Sequence, residues 1–407
     1  MTATEEQRLH AEPGPGTRGA SPVPAAVVTV GTMALATVPT PLYPGYAHAF
    51  GIDEIGITVL FAIFALGAVA GLSVVRTRRC AGWSARDRMV VAALLGAAAA
   101  VLLAVLPGVV AFAVGRLLSG LGVGIAAASA VTFVIDRARA SGRHLGFWTT
   151  VTPGLAMTGL ALGPAAAGLA VGTGLVARWG LYVAIASALV TCAALLTRAS
   201  RPVVTEVTGA GAVAGGSARP RVARWPDRLG AGTAFAVTGL FGALTPHLLA
   251  SGHRQPSTTE IGIVAALPFL AGAAGATVLA GRGRWAFPLV VTGLALVAVA
   301  TATVPGTVAG TVAFAVGAAT AGAGAGIVFS RSLGSALRKA GPDHRAAAAS
   351  DTFVCAYLGL AVPVVVVGTL LGVVEQSVVV GGFTVVLAIV GTVLTFLPRP
   401  VLQGTAR

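Results

Sequence analysis

Residues 112–125, Phe112-Ala-Val-Gly-Arg116-Leu-Leu-Ser-Gly120-Leu-Gly-Val-Gly124-Ile125, hold a single arginine inside an otherwise uncharged apolar run. An arginine at the centre of a membrane helix costs about 2.5–3.5 kcal/mol on insertion scales, so one kept there faces a partner or a water-filled space. Gly120 and Gly124 follow Arg116 at spacings of four, which puts all three on one helix face where a neighbouring helix can approach closely.

Arg116 is the exception in a chain of 407 residues that is 56% hydrophobic and only 10% charged. A soluble domain carries about a quarter charged residues, so this inventory cannot dress a soluble surface. Apolar runs near the ~20 residues of a bilayer crossing occur at 22–46, 55–75, 89–107, 109–134, 146–171, 180–197, 230–250, 259–280, 286–304, 308–330, 350–372 and 377–397. An all-α integral membrane protein with twelve transmembrane helices is expected. Residues 1–20 carry Glu5, Glu6, Arg8 and Glu12 ahead of the first run, a poor leader for a cleaved signal, so the first span is expected to be retained.

The net charge of +14 is not spread as a nucleic-acid binder would spread it. With the N-terminus inside, 24 of the 27 basic residues fall on inner segments, Arg178 and Arg254 fall outside, and Arg116 is embedded. That is the positive-inside pattern, and it makes the basic clusters topology signals rather than phosphate-binding patches. Trp148, Trp179, Trp225 and Trp285 lie near span ends, as interfacial anchors do. Cys80, Cys192 and Cys355 form no pair, and the six histidines show no metal-ligand spacing, so neither a disulfide framework nor a metal or other cofactor is expected.

Residues 198–229 are the one long polar interruption, with six spans on either side. The chain therefore divides into a tail (1–21), a six-helix bundle (22–197), a linker (198–229), a second bundle (230–397) and a second tail (398–407). Two internal matches support the division. FAVGRLLSGLGVGI at 112–125 aligns with FAVGAATAGAGAGI at 314–327, identical at 8 of 14 positions and offset by 202; Glu54-Ile-Gly-Ile57 recurs as Glu260-Ile-Gly-Ile263, offset by 206. Parallel six-span repeats about the membrane normal are the plan of one large transporter class, with the substrate site near the midplane between the halves.

Over nearly its whole length the chain resembles the major facilitator superfamily. The fourth-span motif of that family is matched by Arg116, Gly120, Gly122 and Gly124, and its fifth-span motif, common in exporters and antiporters, by Gly159, Gly163, Pro164 and Gly168. Thr40-Pro-Leu-Tyr43-Pro44 and Ala356-Tyr357 through Pro363 look like bacterial efflux-type members. The match departs after span 2, where the family's acidic position is Val75 and only the basic character of Arg76, Arg78 and Arg79 is kept. The resemblance implies a conformational latch built on that acid, and Asp87 stands at the wrong spacing to replace it.

Each candidate site residue has two readings. Arg116 is either a buried tie to backbone carbonyls or a fixed cation facing the cavity. Gly120, Gly124, Gly159, Gly163 and Gly168 serve close packing, and through it the rocking of one bundle on the other, while Pro164 permits a bend. Glu54, Glu260 (in Ser257-Thr-Thr-Glu260) and Asp351 (after Ser350) fit helix caps first and proton acceptors second. His247 is a candidate proton site if it is not simply an interfacial anchor. The resemblance assigns spans 1, 4, 7, 10 and 11 to the cavity, which makes Tyr43, Thr238, Phe241, Thr245 and Tyr357 candidate cavity residues.

The expected function is alternating-access export of a small, largely apolar, drug-like compound through the inner membrane. Proton entry drives it, both termini are cytoplasmic, and the protein is a monomer in the lipid bilayer. The first rival is import of a small anionic metabolite with Arg116 as its counter-charge. The second, an integral membrane transferase, lacks any constellation of acids, bases or nucleophiles, and no P-loop run offers direct ATP drive. Single cysteines placed in 1–21, 198–229 and 398–407 of a cysteine-free variant should all be blocked by an impermeant maleimide only from the cytoplasmic side; labelling of the linker and the tails from opposite sides would overturn the topology.

Overall fold

The computed structural model describes residues 21–77, 82–106, 108–140, 145–198, 225–250, 255–279, 281–340 and 345–396, so Arg78, Arg79, Cys80, Arg254 and most of the 198–229 linker lie outside the described residues. Among those described there is no strand, and twelve helical stretches are long and apolar enough to span a bilayer. The first span is broken into α1 (Val23–Thr37), a 3-10 turn (Thr40–Leu42) and α2 (Tyr43–Phe50). Pro39, Pro41 and Pro44 lack the N–H that continuous helix needs. Left-handed Gly51 (φ 64°) then ends α2.

The remaining spans of the first half are α3 (Glu54–Val75), α4 (Ala85–Val105), α5 (Val109–Ala140), α6 (Leu145–Ala166) running into a π-helical segment (Ala167–Val171), and α7 (Arg178–Arg198). The second half holds α8 (Trp225–Leu249), α9 (Thr258–Val278), α10 (Ala286–Thr303), α11 (Val308–Ala340), α12 (Arg345–Leu371) and α13 (Gln376–Phe396). Several helices outrun their apolar stretches: α5 and α11 extend past 134 and 330, while α8 and α12 start before 230 and 350. Hydropathy marks only the part of a helix in lipid, and the backbone ladder continues into the polar layer without needing apolar side chains.

This changes the reading of Asp351 and Glu54, while Glu260 takes the third helical position of its capping-box sequence. Asp351 does not cap span 11; α12 begins at Arg345 and Asp351 lies well inside it. The cap of α3 is Asp53, which accepts from Gly56 N at 2.9 Å, and Glu54 is the first helical residue, its side chain outside what the structure describes. In α9 the cap is Ser257, which accepts from Glu260 N at 3.1 Å, so Glu260 is the third helical residue. Asp87 closes a capping box with Ser84 at the start of α4.

The internal repeat reappears as packing. A Cβ on Gly120 would fall on Phe64 O and one on Gly124 on Ala68 O; in the second half a Cβ on Gly322 would fall on Pro268 O and one on Gly326 on Gly272 O. Equivalent glycines on α5 and α11 thus press against equivalent carbonyls on α3 and α9, at offsets of 202 and 204. The Glu54/Glu260 match, at 206, is two residues out of that register and does not reflect structural equivalence. Gly159 and Gly163 press in the same way on Val30 O and Ala34 O of α1.

One apolar core is confined to the first half, around Val28, Leu35, Met89, Tyr182 and Leu189. The other is shared, joining Met33, Phe61, Phe64 and Leu72 of the first half to Phe235, Leu240, Phe269 and Tyr357 at the α8, α9 and α12 face. Large apolar side chains such as Leu66, Val110, Val278 and Val316 are left exposed on the outside, the surface a bilayer covers. Substituting valine at Gly124 or Gly326 should cost about 1–3 kcal/mol or more, because a backbone carbonyl occupies the new side chain's space. Thermal unfolding in detergent should show both destabilised, with Gly45→Ala, which meets nothing within 4 Å, unchanged.

Candidate functional site

Arg116 is fully buried, the largest such side chain among the described residues. Its Nη1 donates to Ala36 O at 2.7 Å. Ala36 lies in the last turn of α1, where carbonyls run out of in-helix donors and the helix dipole favours a cation. The guanidinium carbon stands 4.5 Å from the ring centre of Phe64 and 5.8 Å from that of Phe61, both on α3, a cation–π arrangement. Nε and Nη2 are buried with no hydrogen-bond partner, as is the Tyr43 hydroxyl. Arg116 therefore ties three spans together and still has unused donors.

The rings that cover Arg116 face a cavity on their other side. Ala36, Thr37, Phe61, Phe64 and Leu160 of the first half line it against Phe235, Thr238, Gly242, Phe269, Tyr357 and Leu360 of the second. Its volume, about 20 Å³, has room for about one water molecule. Arg116 thus stands behind the cavity wall rather than in it.

Of the expected cavity residues, Thr238 and Tyr357 line this space. Tyr43 instead belongs to the first-half core. Phe241 is three residues, about 60° of helix turn, round from Thr238; it packs edge-on to Phe314 of α11 with ring centres 5.9 Å apart. Thr245 is buried and turns back to donate to Phe241 O at 2.6 Å. Phe61, Phe64, Phe235 and Phe269 were not expected there. Nothing in a uniformly apolar run separates a phenylalanine facing a cavity from one facing lipid.

Prolines shape the polar groups at this cavity. Pro164 has no N–H for Leu160 O, and the Thr37 hydroxyl donates to that oxygen at 2.9 Å. Pro246 likewise has none for Gly242 O, and there the Thr40 hydroxyl donates at 2.5 Å. The second bond crosses from the first half to the second. A mid-span proline always frees the carbonyl four residues earlier, so this signal was present in the sequence and went unused.

Two clusters close the ends of the interface. At the end where α6 finishes and α9 begins, Gly168 abuts Gly262, the Thr259 hydroxyl donates to Gly168 O at 2.9 Å, and Gly368 of α12 abuts Thr58 of α3. Glu260 sits near this end, half-buried, and accepts from the Thr311 hydroxyl of α11 at 3.2 Å. His247 is half-buried in the last turn of α8. At the opposite end Asp351 receives Arg76 at 2.5 Å across the two halves and Arg228 at 3.3 Å within the second. This ion pair joins the halves where the expected latch acid is missing, with the base from the end of span 2 and the acid from span 11. Nearby, on the extension of α5, Arg137 is held below the usual arginine value by burial and by Arg86.

The family model for the Major Facilitator Superfamily matches residues 25–364. The solved structure of the nucleoside transporter NupG superposes with a TM-score of 0.66 at 14% identity, covering 93% of this chain and 99% of that one. A single-residue variant of NupG gives 0.67 at 14% identity, covering 92% and 99%. At that identity the likeness is one of fold. A search of curated protein sequences gave no significant match.

Asp351 serves two arginines, so its loss should cost more than the loss of either. Neutralising Arg76 alone should cost about 1 kcal/mol or less, since that side chain is 48% exposed. Asp351→Asn, which leaves two cations facing each other, should cost more, and Arg76→Gln added to it should cost nothing further. Thermal unfolding of the single and double variants checks this.

Proposed function

The chain belongs to the major facilitator superfamily, and on that premise we propose that it is an exporter of small, largely apolar aromatic compounds. As a member it is a secondary transporter in a multi-pass membrane protein, not an enzyme. In this reading it sits in the inner membrane as a monomer with both tails and the linker cytoplasmic. Its working units are the bundles 22–197 and 230–397; Gly120, Gly124, Gly159 and Gly163 pack helices closely within the first, and Gly168 is the smooth contact it makes with the second.

The observation that carries the reading is the cavity wall, with Phe61 and Phe64 from one half facing Phe235, Phe269 and Tyr357 from the other. Such a wall suits a planar apolar molecule better than a heavily hydrated one. For coupling, Glu260 is the best-placed acid, half-buried at the interface-closing end and hydrogen-bonded to Thr311. A proton there would weaken its acceptance from Thr311. His247 and Glu54 are the alternative proton sites; Asp351 is engaged by Arg76 and Arg228.

A second reading, import of a small anion, is favoured by the two unpartnered donors of Arg116. Inverted vesicles carrying the protein should accumulate an aromatic apolar probe on imposing an acidic lumen, and an uncoupler should abolish this. Glu260→Gln should lose uphill accumulation yet keep counterflow. Uptake of anions alone into right-side-out vesicles, lost in Arg116→Gln, would replace export with the second reading.

A further inference from the structure

The cavity wall is mostly apolar, with Thr37, Thr238 and Tyr357 its polar side chains, so whatever orients a cargo in it must come from few polar atoms. Thr238 is spent on Phe235 O, which its hydroxyl reaches at 3.1 Å. Arg116 lies behind Phe61 and Phe64, its charge separated from the cavity by their rings. No acid lines the cavity among the described residues. Beyond the Tyr357 hydroxyl, what is left is backbone: Leu160 and Gly242, both lining residues, carry the two carbonyls that Pro164 and Pro246 deprive of helix donors.

We propose that one of these proline-freed carbonyls, Gly242 O, is the hydrogen-bond acceptor by which the cavity recognises its cargo, which is an uncharged aromatic molecule bearing an N–H or O–H group. This rests on the export reading above and narrows it. In the closed arrangement each oxygen is covered by a threonine hydroxyl. Thr37 and Leu160 belong to the same half, so that bond persists through a rocking motion. Thr40 and Gly242 belong to different halves, so that bond breaks whenever the halves part at this end. Gly242 O is then left in the membrane interior without a donor from its own helix, a position that a polar group there does not hold without a new partner. A cargo N–H or O–H is that partner.

The same arrangement sets the charge of the cargo. A cation would find carbonyls and aromatic faces, but also a fixed guanidinium 4.5 Å behind the Phe64 ring and no carboxylate to offset it. In a low-dielectric space that repulsion is poorly screened. Lipophilic cations are excluded although the aromatic wall alone would welcome them.

The test uses purified full-length protein in detergent and three probes sharing one ring system: naphthol, its methyl ether and naphthyltrimethylammonium. Naphthol should bind about tenfold more tightly than the ether, the effect of one hydrogen bond to a buried acceptor, and the ammonium should bind more weakly still. Pro246→Ala returns an N–H to Gly242 O and should bring the naphthol-to-ether ratio close to one. Equal binding of ether and naphthol by the wild-type protein, or binding of the ammonium as tight as that of naphthol, overturns this inference and leaves the aromatic-cargo reading standing. No binding of any of the three overturns both.

Discussion

In hydrocarbon no water completes a backbone hydrogen bond, so every N–H and C=O in a membrane helix must find its partner within the protein. That constraint organises this molecule. Where prolines interrupt the ladder, specific side chains fill the gaps: Thr37 at the carbonyl freed by Pro164 and Thr40 at the one freed by Pro246. Where α1 ends among prolines, the guanidinium of Arg116 takes the carbonyl of Ala36. The break in span 1 and the kink sites of spans 5 and 7 converge on one place, the meeting of the two halves.

Close glycine contacts make this convergence possible. Carbonyl oxygens of α3 occupy the space where side chains of α5 would be, and the second half repeats the arrangement between α9 and α11. Helices that approach so closely act as rigid pairs. One end of the interface between halves also closes on glycines, with Gly168 on Gly262 and Gly368 on Thr58, while its middle is the shared aromatic core.

Charge plays two separate roles. Arg116 is buried under aromatic rings and is structural in its contact with Ala36, while its unused donors keep it relevant to the cavity's potential. Arg76 and Asp351 join the halves at the opposite end from the glycine seal. The acid of the family pattern is missing at Val75, and the neighbouring Arg76 pairs with Asp351 of the other half.

The amino-acid sequence alone determined the membrane class, the twelve crossings, the repeat through 112–125 and 314–327, and the isolation of Arg116. Bilayer thickness imposes a length on apolar runs, and a charge among them stands out. It placed Thr238 and Tyr357 at the cavity, but it put Tyr43, Phe241 and Thr245 there too and passed over Phe61, Phe64, Phe235 and Phe269. It also read Asp351 as a cap and Arg76 as a topology signal. Only tertiary structure decided these matters. A membrane helix is apolar on its lipid face and its core face alike, so hydropathy carries no record of which side turns inward, and the partner of a charge across an interface is chosen by the packing of helices hundreds of residues apart.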